Sequence, residues 1–211
     1  MTSHQMYIFK NHCATICATI PGLTIFTLPY IFEHYKKLAN SRITRNKLKP
    51  PFPRTVAVMY GTDTGMSEGH ARDFAIILRS TALNWGIRLV VNVMPMNDYR
   101  LLETRSPNVI VIITSTIRES APPTAVDFEK KMRTNNFSLG GCNKISILGI
   151  GDGNFGRPCA FAKDVAMVLS AKGFHHLHRP FYVDLQIHDE ERITNWYSIA
   201  ITALFHELVP H

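Results

Sequence analysis

Thr55-Val-Ala-Val-Met-Tyr-Gly-Thr-Asp-Thr-Gly-Met-Ser-Glu68 is a β-rich run that breaks into a hydroxyl-rich loop and then a helical pattern. Thr62, Thr64 and Ser67 bring three hydroxyls around Gly61 and Gly65, where a helix N-terminus offers free backbone N–H groups. Those donors and the helix dipole both favour negative charge, so the loop suits a bound phosphate. It lacks the Gly-Lys-Ser/Thr ending of a nucleoside-triphosphate loop and holds no lysine. A phosphate gripped without lysine or metal fits a cofactor that stays bound while chemistry happens elsewhere.

Downstream of this loop, strand and helix patterns alternate. Strand-like runs are expected at Thr55–Tyr60, Arg88–Met94, Asn108–Thr114, Lys144–Ile150 and about His178–Val183. Helical patterns fall at about 66–84, 123–134, 159–172 and 189–208. Five strands alternating with helices imply a doubly wound parallel sheet, because right-handed crossovers place helices on both faces. Val56-Ala-Val-Met59, Val109-Ile-Val-Ile-Ile113 and Ile145-Ser-Ile-Leu148 are nearly continuous apolar runs, as strands covered on both sides require.

The net charge of +7 does not belong to this domain. Residues 1–50 carry seven Lys/Arg against Glu33 alone, a net of +6, and residues 51–211 carry 16 against 15, a net of +1. Nucleic-acid binding by the domain is therefore not expected. Residues 13–32 hold no charge over about one membrane-spanning length, and Lys36, Lys37, Arg42, Arg45, Lys47 and Lys49 follow at once. That order would keep the main domain on the cytoplasmic side of an intracellular membrane. Pro21-Gly22, Pro29 and four threonines weaken the span, so it admits three readings: a membrane anchor, a partly helical extension that packs on a partner domain or is poorly ordered, or a basic helical segment that docks a regulatory partner such as calmodulin. Pro50-Pro51-Phe52-Pro53 reads as a linker, dividing an N-terminal segment, 1–53, from a domain, 54–211. Cys13, Cys17, Cys142 and Cys159 show neither metal-type pairing nor a secreted disulfide framework, which fits a reducing compartment.

In an open sheet of this kind, ligands bind beyond the carboxyl ends of the strands. Two further loops follow such ends: Thr114-Ser-Thr-Ile-Arg-Glu-Ser-Ala-Pro-Pro123 and Gly149-Ile-Gly-Asp-Gly-Asn-Phe-Gly-Arg-Pro-Cys-Ala-Phe161. One phosphate loop and two loops able to flank a flat ring outline a mononucleotide site, with flavin mononucleotide (FMN) as leading candidate. Gly151-Asp-Gly-Asn-Phe-Gly156 also matches G-x-G-x-x-G, but only about 55 residues follow, too few for a dinucleotide half and a catalytic domain. His175-His176-Leu177-His178 lacks a nearby carboxylate or cysteine companion and reads as a surface loop rather than a metal site. No G-x-S-x-G elbow, H-E-x-x-H or zinc pattern is present, so no catalytic side chain or metal is expected. Trp85 and Trp196 read as packing anchors, with Trp196 on a final helix where another domain could dock.

Taken in order, Tyr60-Gly-Thr-Asp-Thr-Gly-Met-Ser-Glu68 with Ala71-Arg-Asp-Phe74, Asp98-Tyr99, Thr114-Ser-Thr116 with Pro122-Pro123, and Leu148-Gly149…Phe155…Cys159-Ala-Phe161 form a specific set. The chain resembles the flavodoxin-like FMN domain of the diflavin reductases over about residues 54–205. It is most similar to the reductase half of nitric oxide synthases and related to NADPH–haemoprotein reductases. The resemblance implies a five-stranded parallel sheet in the order 2-1-3-4-5. It further implies that Thr62, Asp63, Thr64, Gly65, Met66 and Ser67 wrap the FMN phosphate, and that Thr114, Ser115 and Thr116 reach the ribityl chain and ring edge. Gly149, Asp152, Cys159 and Asp184 fall where the family contacts the flavin, and Phe155 where a tyrosine usually stacks on the ring.

One stretch departs from the family. After Ser-Thr the family has an aromatic residue and a glycine-bounded loop, whereas this chain has Ile117-Arg118-Glu119-Ser120. A stacking ring and backbone freedom are lost, and an arginine near the ring favours anionic flavin. The family's acidic residue and glutamine near the last strand are here Asp184 and Leu185. The function implied is passage of single electrons from an FAD/NADPH-binding reductase to a haem-type acceptor. The chain has no room for the reductase domains themselves, so it is expected either to rely on a separate reductase or to be a truncated relative. The alternative is a flavodoxin-shaped interaction module that has lost its flavin.

Overall fold

The computed structural model describes residues 53–187 and 190–209. Six parallel strands form the sheet: β1 (Arg54–Gly61), β2 (Leu89–Pro95), β3 (Val109–Ser115), β4 (Lys144–Gly151), β5 (His175–His176) and β6 (Phe181–Asp184). Their order is β2-β1-β3-β4, and both β5 and β6 pair with the outer edge of β4. This is the expected 2-1-3-4-5 order with the fifth position broken in two. Pro180 brings no N–H to the ladder, and His178 turns inward instead of continuing a strand. The imidazole Nε2 of His178 lies 2.7 Å from the buried Ser146 hydroxyl, and Nδ1 lies 2.9 Å from the Arg179 carbonyl. Nδ1 therefore carries the proton and Ser146 donates to Nε2. His176 lies against Ser170 instead, so the expected surface loop is in part a strand with one half-buried histidine tied to the core.

Among the described residues the α-helices are α1 (Met66–Asn84), α2 (Leu101–Arg105), α3 (Val126–Met132), α4 (Ala160–Ala171) and α5 (Glu190–Leu208). Alternation along β1 explains its unbroken apolar run: Val56 and Val58 join one core cluster, Ala57 and Met59 the other. The first cluster buries Phe74, Leu78, Trp196 and Leu204 of α1 and α5. The second buries Phe128, Met132, Phe161 and Val165 of α3 and α4. Each such side chain contributes about 1.5–3 kcal/mol by leaving water. Trp196 is wholly buried, 5.2 Å from the Phe74 ring, so it anchors packing and offers no surface to another domain. Trp85 packs at 4.9 Å on Phe205.

The expected helix at 123–134 is shorter. Pro122 and Pro123 open a 3-10 turn, Pro123–Ala125, before α3 begins. Among the described residues no helix is long and apolar enough to cross a membrane. The expected anchor, 13–32, and both Cys13 and Cys17 lie outside the described residues.

Strand register lines up the carboxyl ends: Gly61 is level with Thr114, Thr114 with Gly149, and Gly151 with Asp184. The chain runs from β1 to β2 on one side and returns to β3 on the other. The crevice at this reversal, above β1 and β3, is where open α/β sheets bind ligands.

Candidate cofactor site

The first loop is built tightly. Gly65 sits in the left-handed region at φ 89° and introduces α1, leaving open space where a side chain would be. Its N–H donates to Thr62 Oγ1 at 2.9 Å. Thr124 clamps the same loop from α3's entry turn, accepting from Thr62 N–H at 2.7 Å and donating to Thr62 C=O at 3.0 Å. Ser67, in the first turn of α1, is fully buried and its Oγ has no hydrogen-bond partner. An orphaned buried hydroxyl costs about 1–3 kcal/mol. Beside unpaired helix-terminal N–H groups it fits a phosphate oxygen as the missing partner. Asp63, Thr64 and Met66 are exposed around it, and Thr62 is buried.

The second loop is bound to the first through Gly61. A Cβ there would lie 2.2 Å from Thr114 Oγ1, so only glycine permits the approach. Ser115 Oγ donates to Gly61 C=O at 3.2 Å, and Thr114 Oγ1 donates to Ser115 C=O at 3.1 Å. Thr116 Oγ1 accepts the N–H of Phe161 at 3.2 Å, tying this loop to α4. The departure Ile117–Ser120 is a tight turn: Ile117 N–H donates to Ser120 C=O at 3.1 Å and Ser120 N–H to Ile117 C=O at 2.8 Å. Its central residues, Arg118 and Glu119, have φ of 43° and 68°. Two positive φ values are what a type I′ turn needs, normally from Asn or Gly. Without glycine each costs about 1–2 kcal/mol.

Loop three runs from β4 to α4. Asp152 Oδ1 accepts from Asn154 N–H, and Asp184 Oδ1 accepts from Gly153 N–H, each at 2.9 Å. Glu119 crosses from the second loop to pair with Arg157 at 2.6 Å, and the Arg157 N–H also donates to Glu119 at 3.3 Å. Those bonds from Arg157 hold the Glu119 carboxyl below the usual range. Phe155 is 72% exposed, which excludes ordinary core packing and leaves its ring free to cover a ligand. A groove of about 470 Å³, lined by Glu119, Glu129, Arg133, Arg157, Asp164 and Met167, lies on the α3–α4 side and shares no residue with Thr62–Ser67.

The structure thus gathers Thr62–Ser67 and Thr114–Thr116 around Gly61, and Asp152 and Asp184 around loop three. Gly149 and Cys159 are placed differently. Gly149 is buried, and a Cβ there would meet Ala162 at 2.5 Å, so its evident part is close packing of α4 on β4. The Cys159 thiol donates to Val183 C=O at 3.2 Å, and burial pushes its pKa up to about 11. It is a protonated core thiol at neutral pH. Two contributors were not foreseen. Thr124 is 62 residues from the loop it clamps. Gln186 puts Oε1 2.7 Å from where a Gly153 Cβ would stand, one position beyond the Leu185 read from sequence.

The flavodoxin family profile matches residues 58–196. Among curated relatives, the "Sulfite reductase [NADPH] flavoprotein alpha-component" of Shewanella sp. (strain ANA-3) is 25% identical over 86% of this chain and 30% of its own length. The "Nitric oxide synthase, inducible" of Sus scrofa is 28% identical over 66% of this chain and 11% of its own. The chain therefore spans less than a third of either relative. A flavodoxin mutant from Pseudomonas aeruginosa superposes with a TM-score of 0.60 at 19% identity, covering 71% of this chain and 98% of that one, a likeness of fold. The phosphate-type loop, the sheet order and the profile match agree: the chain belongs to the flavodoxin family, whose cofactor is FMN.

Proposed function

We propose that this domain carries electrons through FMN held with its phosphate on Thr62–Ser67, receiving them from an FAD/NADPH-binding reductase and delivering them to a haem-type acceptor. The observation that carries this reading is the buried, unpartnered Ser67 hydroxyl at the start of α1, beside the left-handed Gly65. Thr124 and Thr62 hold the loop in shape through bonds within the chain itself, which lowers the ordering that binding must offset. Bound FMN supplies the redox chemistry, accepting electrons and releasing them singly. The chain's own part is to orient the ring and exclude water. On this reading Thr114–Thr116 reach the ribityl chain and ring edge, and Phe155 covers one ring face. The donor and acceptor are proposed from the diflavin resemblance and the names of the two curated relatives. On the same reading, the apolar residues 13–32 tether the domain to the cytoplasmic face of a membrane.

The visible spectrum of the purified chain tests the cofactor. Flavin bands that persist through gel filtration support the reading. A colourless protein that FMN cannot restore favours the second one, a flavodoxin-shaped interaction module. The observation behind that alternative is the Ile117–Ser120 turn, closed by its own backbone bonds where the family has a glycine-bounded loop.

A further inference from the structure

The geometry points to Glu119 and Arg157 as a latch that ties the two ring-flanking loops together and slows release of a ligand held between them. This rests on the FMN reading of the cleft. The loops leave β3 and β4, neighbouring strands whose ends are level at Ser115 and Ile150. Only one side-chain ion pair joins them among the described residues: the Glu119 carboxylate takes both the guanidinium and the backbone N–H of Arg157. Two features show that the contact is set by the backbone. Arg118 and Glu119 both occupy the left-handed region, and Gly156, at φ 112°, gives the partner loop a backbone conformation that other residues rarely adopt, just before Arg157. A turn of two non-glycine residues in that region persists when its surroundings over-determine it. The Ile117–Ser120 bonds and the Arg157 clasp are those surroundings. The Arg157 side chain is 79% exposed, so the latch is weak and screened by salt. It acts on the rate of opening. It leaves the phosphate grip on the other side of Gly61 untouched.

Charge reversal tests this in the full-length chain. Glu119→Arg and Arg157→Glu each break the pair, and the double variant restores it with reversed sign. FMN release is followed by the rise of free-flavin fluorescence on dilution. Each single variant should release FMN about threefold faster or more, within the range of an exposed pair with added like-charge repulsion. The double variant should recover the part of the rate that the ion pair sets, though not the part set by the bond from the backbone N–H of residue 157, and raising salt should speed wild-type release more than that of either single variant. Equal rates in all four proteins, or single effects that simply add in the double, would overturn the latch. If the wild-type chain binds no FMN, the cofactor reading fails. The latch is then judged by hydrogen exchange at the Ser120 amide, whose bond to Ile117 C=O survives all the substitutions; exchange there should quicken in the single variants and recover in the double. Unchanged exchange there would overturn it.

Discussion

The phosphate loop and the ring-flanking loops are built on opposite plans. Thr62–Ser67 is held by backbone and buried hydroxyls: a left-handed glycine where nothing crowds it, a clamp from Thr124, and a sealed serine awaiting a partner. Ile117–Ser120 and Gly153–Arg157 each close locally, through the turn's own backbone bonds and Asp184's hold on Gly153, but are joined to each other by an exposed ion pair whose acid sits in a region that favours glycine. The first plan suits a small anion, with little dependence on solvent. The second leaves the ring's environment adjustable by single side chains. Affinity should therefore reside in loop one, and release and tuning in loops two and three.

The largest expected effect tests the first half of that contrast. Replacing Thr64 and Ser67 together by alanine should weaken FMN binding by about 1–3 kcal/mol, measured by fluorescence titration, because phosphate oxygens lose partners. Ser67→Ala alone should leave the ligand-free protein as stable as wild type or more so, since the hydroxyl it removes is unsatisfied there. Parallel losses of stability and affinity would show Ser67 to be a packing residue. Gly65→Ala should cost about 1–2 kcal/mol of stability through its φ alone, the site being sterically open. A denaturant midpoint unchanged from wild type would contradict the strained geometry.

Phe155→Ala sharpens the second half. With 72% of the residue exposed, stability should hardly move. FMN affinity should fall by about 0.5–1.5 kcal/mol and residual flavin fluorescence should brighten as a stacking ring is lost. Wild-type quenching in the variant would remove Phe155 from the site.

A smaller effect concerns pH. Burial lowers the His178 pKa in the folded chain below its unfolded value of about 6.5. The unfolded state then binds more protons as pH falls, so this contribution to stability is complete above about pH 6.5 and lost below it. His178→Gln should flatten the acid limb of the thermal midpoint measured from pH 7.5 to 5.5. An unaltered slope would assign that limb to other groups.

Much of this was legible in the chain. α1 begins and ends where the apolar period and Gly65 place it, and the buried strands follow their continuous apolar runs. What was hidden depends on contacts distant in sequence or on very short elements. Nothing in the sequence near residue 62 announces Thr124, because the clamp exists only once β1 and β3 pair. α2 has five residues, too few for a period, and stops at Ser106 with φ 39°. The break in the fifth strand combines Pro180, which the sequence shows, with the bond between His178 and Ser146, which no local pattern encodes. The Ile117–Ser120 departure was visible as a change of residue type, but its pairing across to Arg157 was not.

The central claim is that Thr62–Ser67 grips the cofactor phosphate and that this grip adds to affinity beyond what the ring and ribityl chain supply. Titrating the full chain with FMN and with riboflavin, which has the same ring and ribityl chain but no phosphate, measures that directly. The account predicts FMN binding at least tenfold tighter, about 1.4 kcal/mol or more. Equal affinity for the two would contradict it.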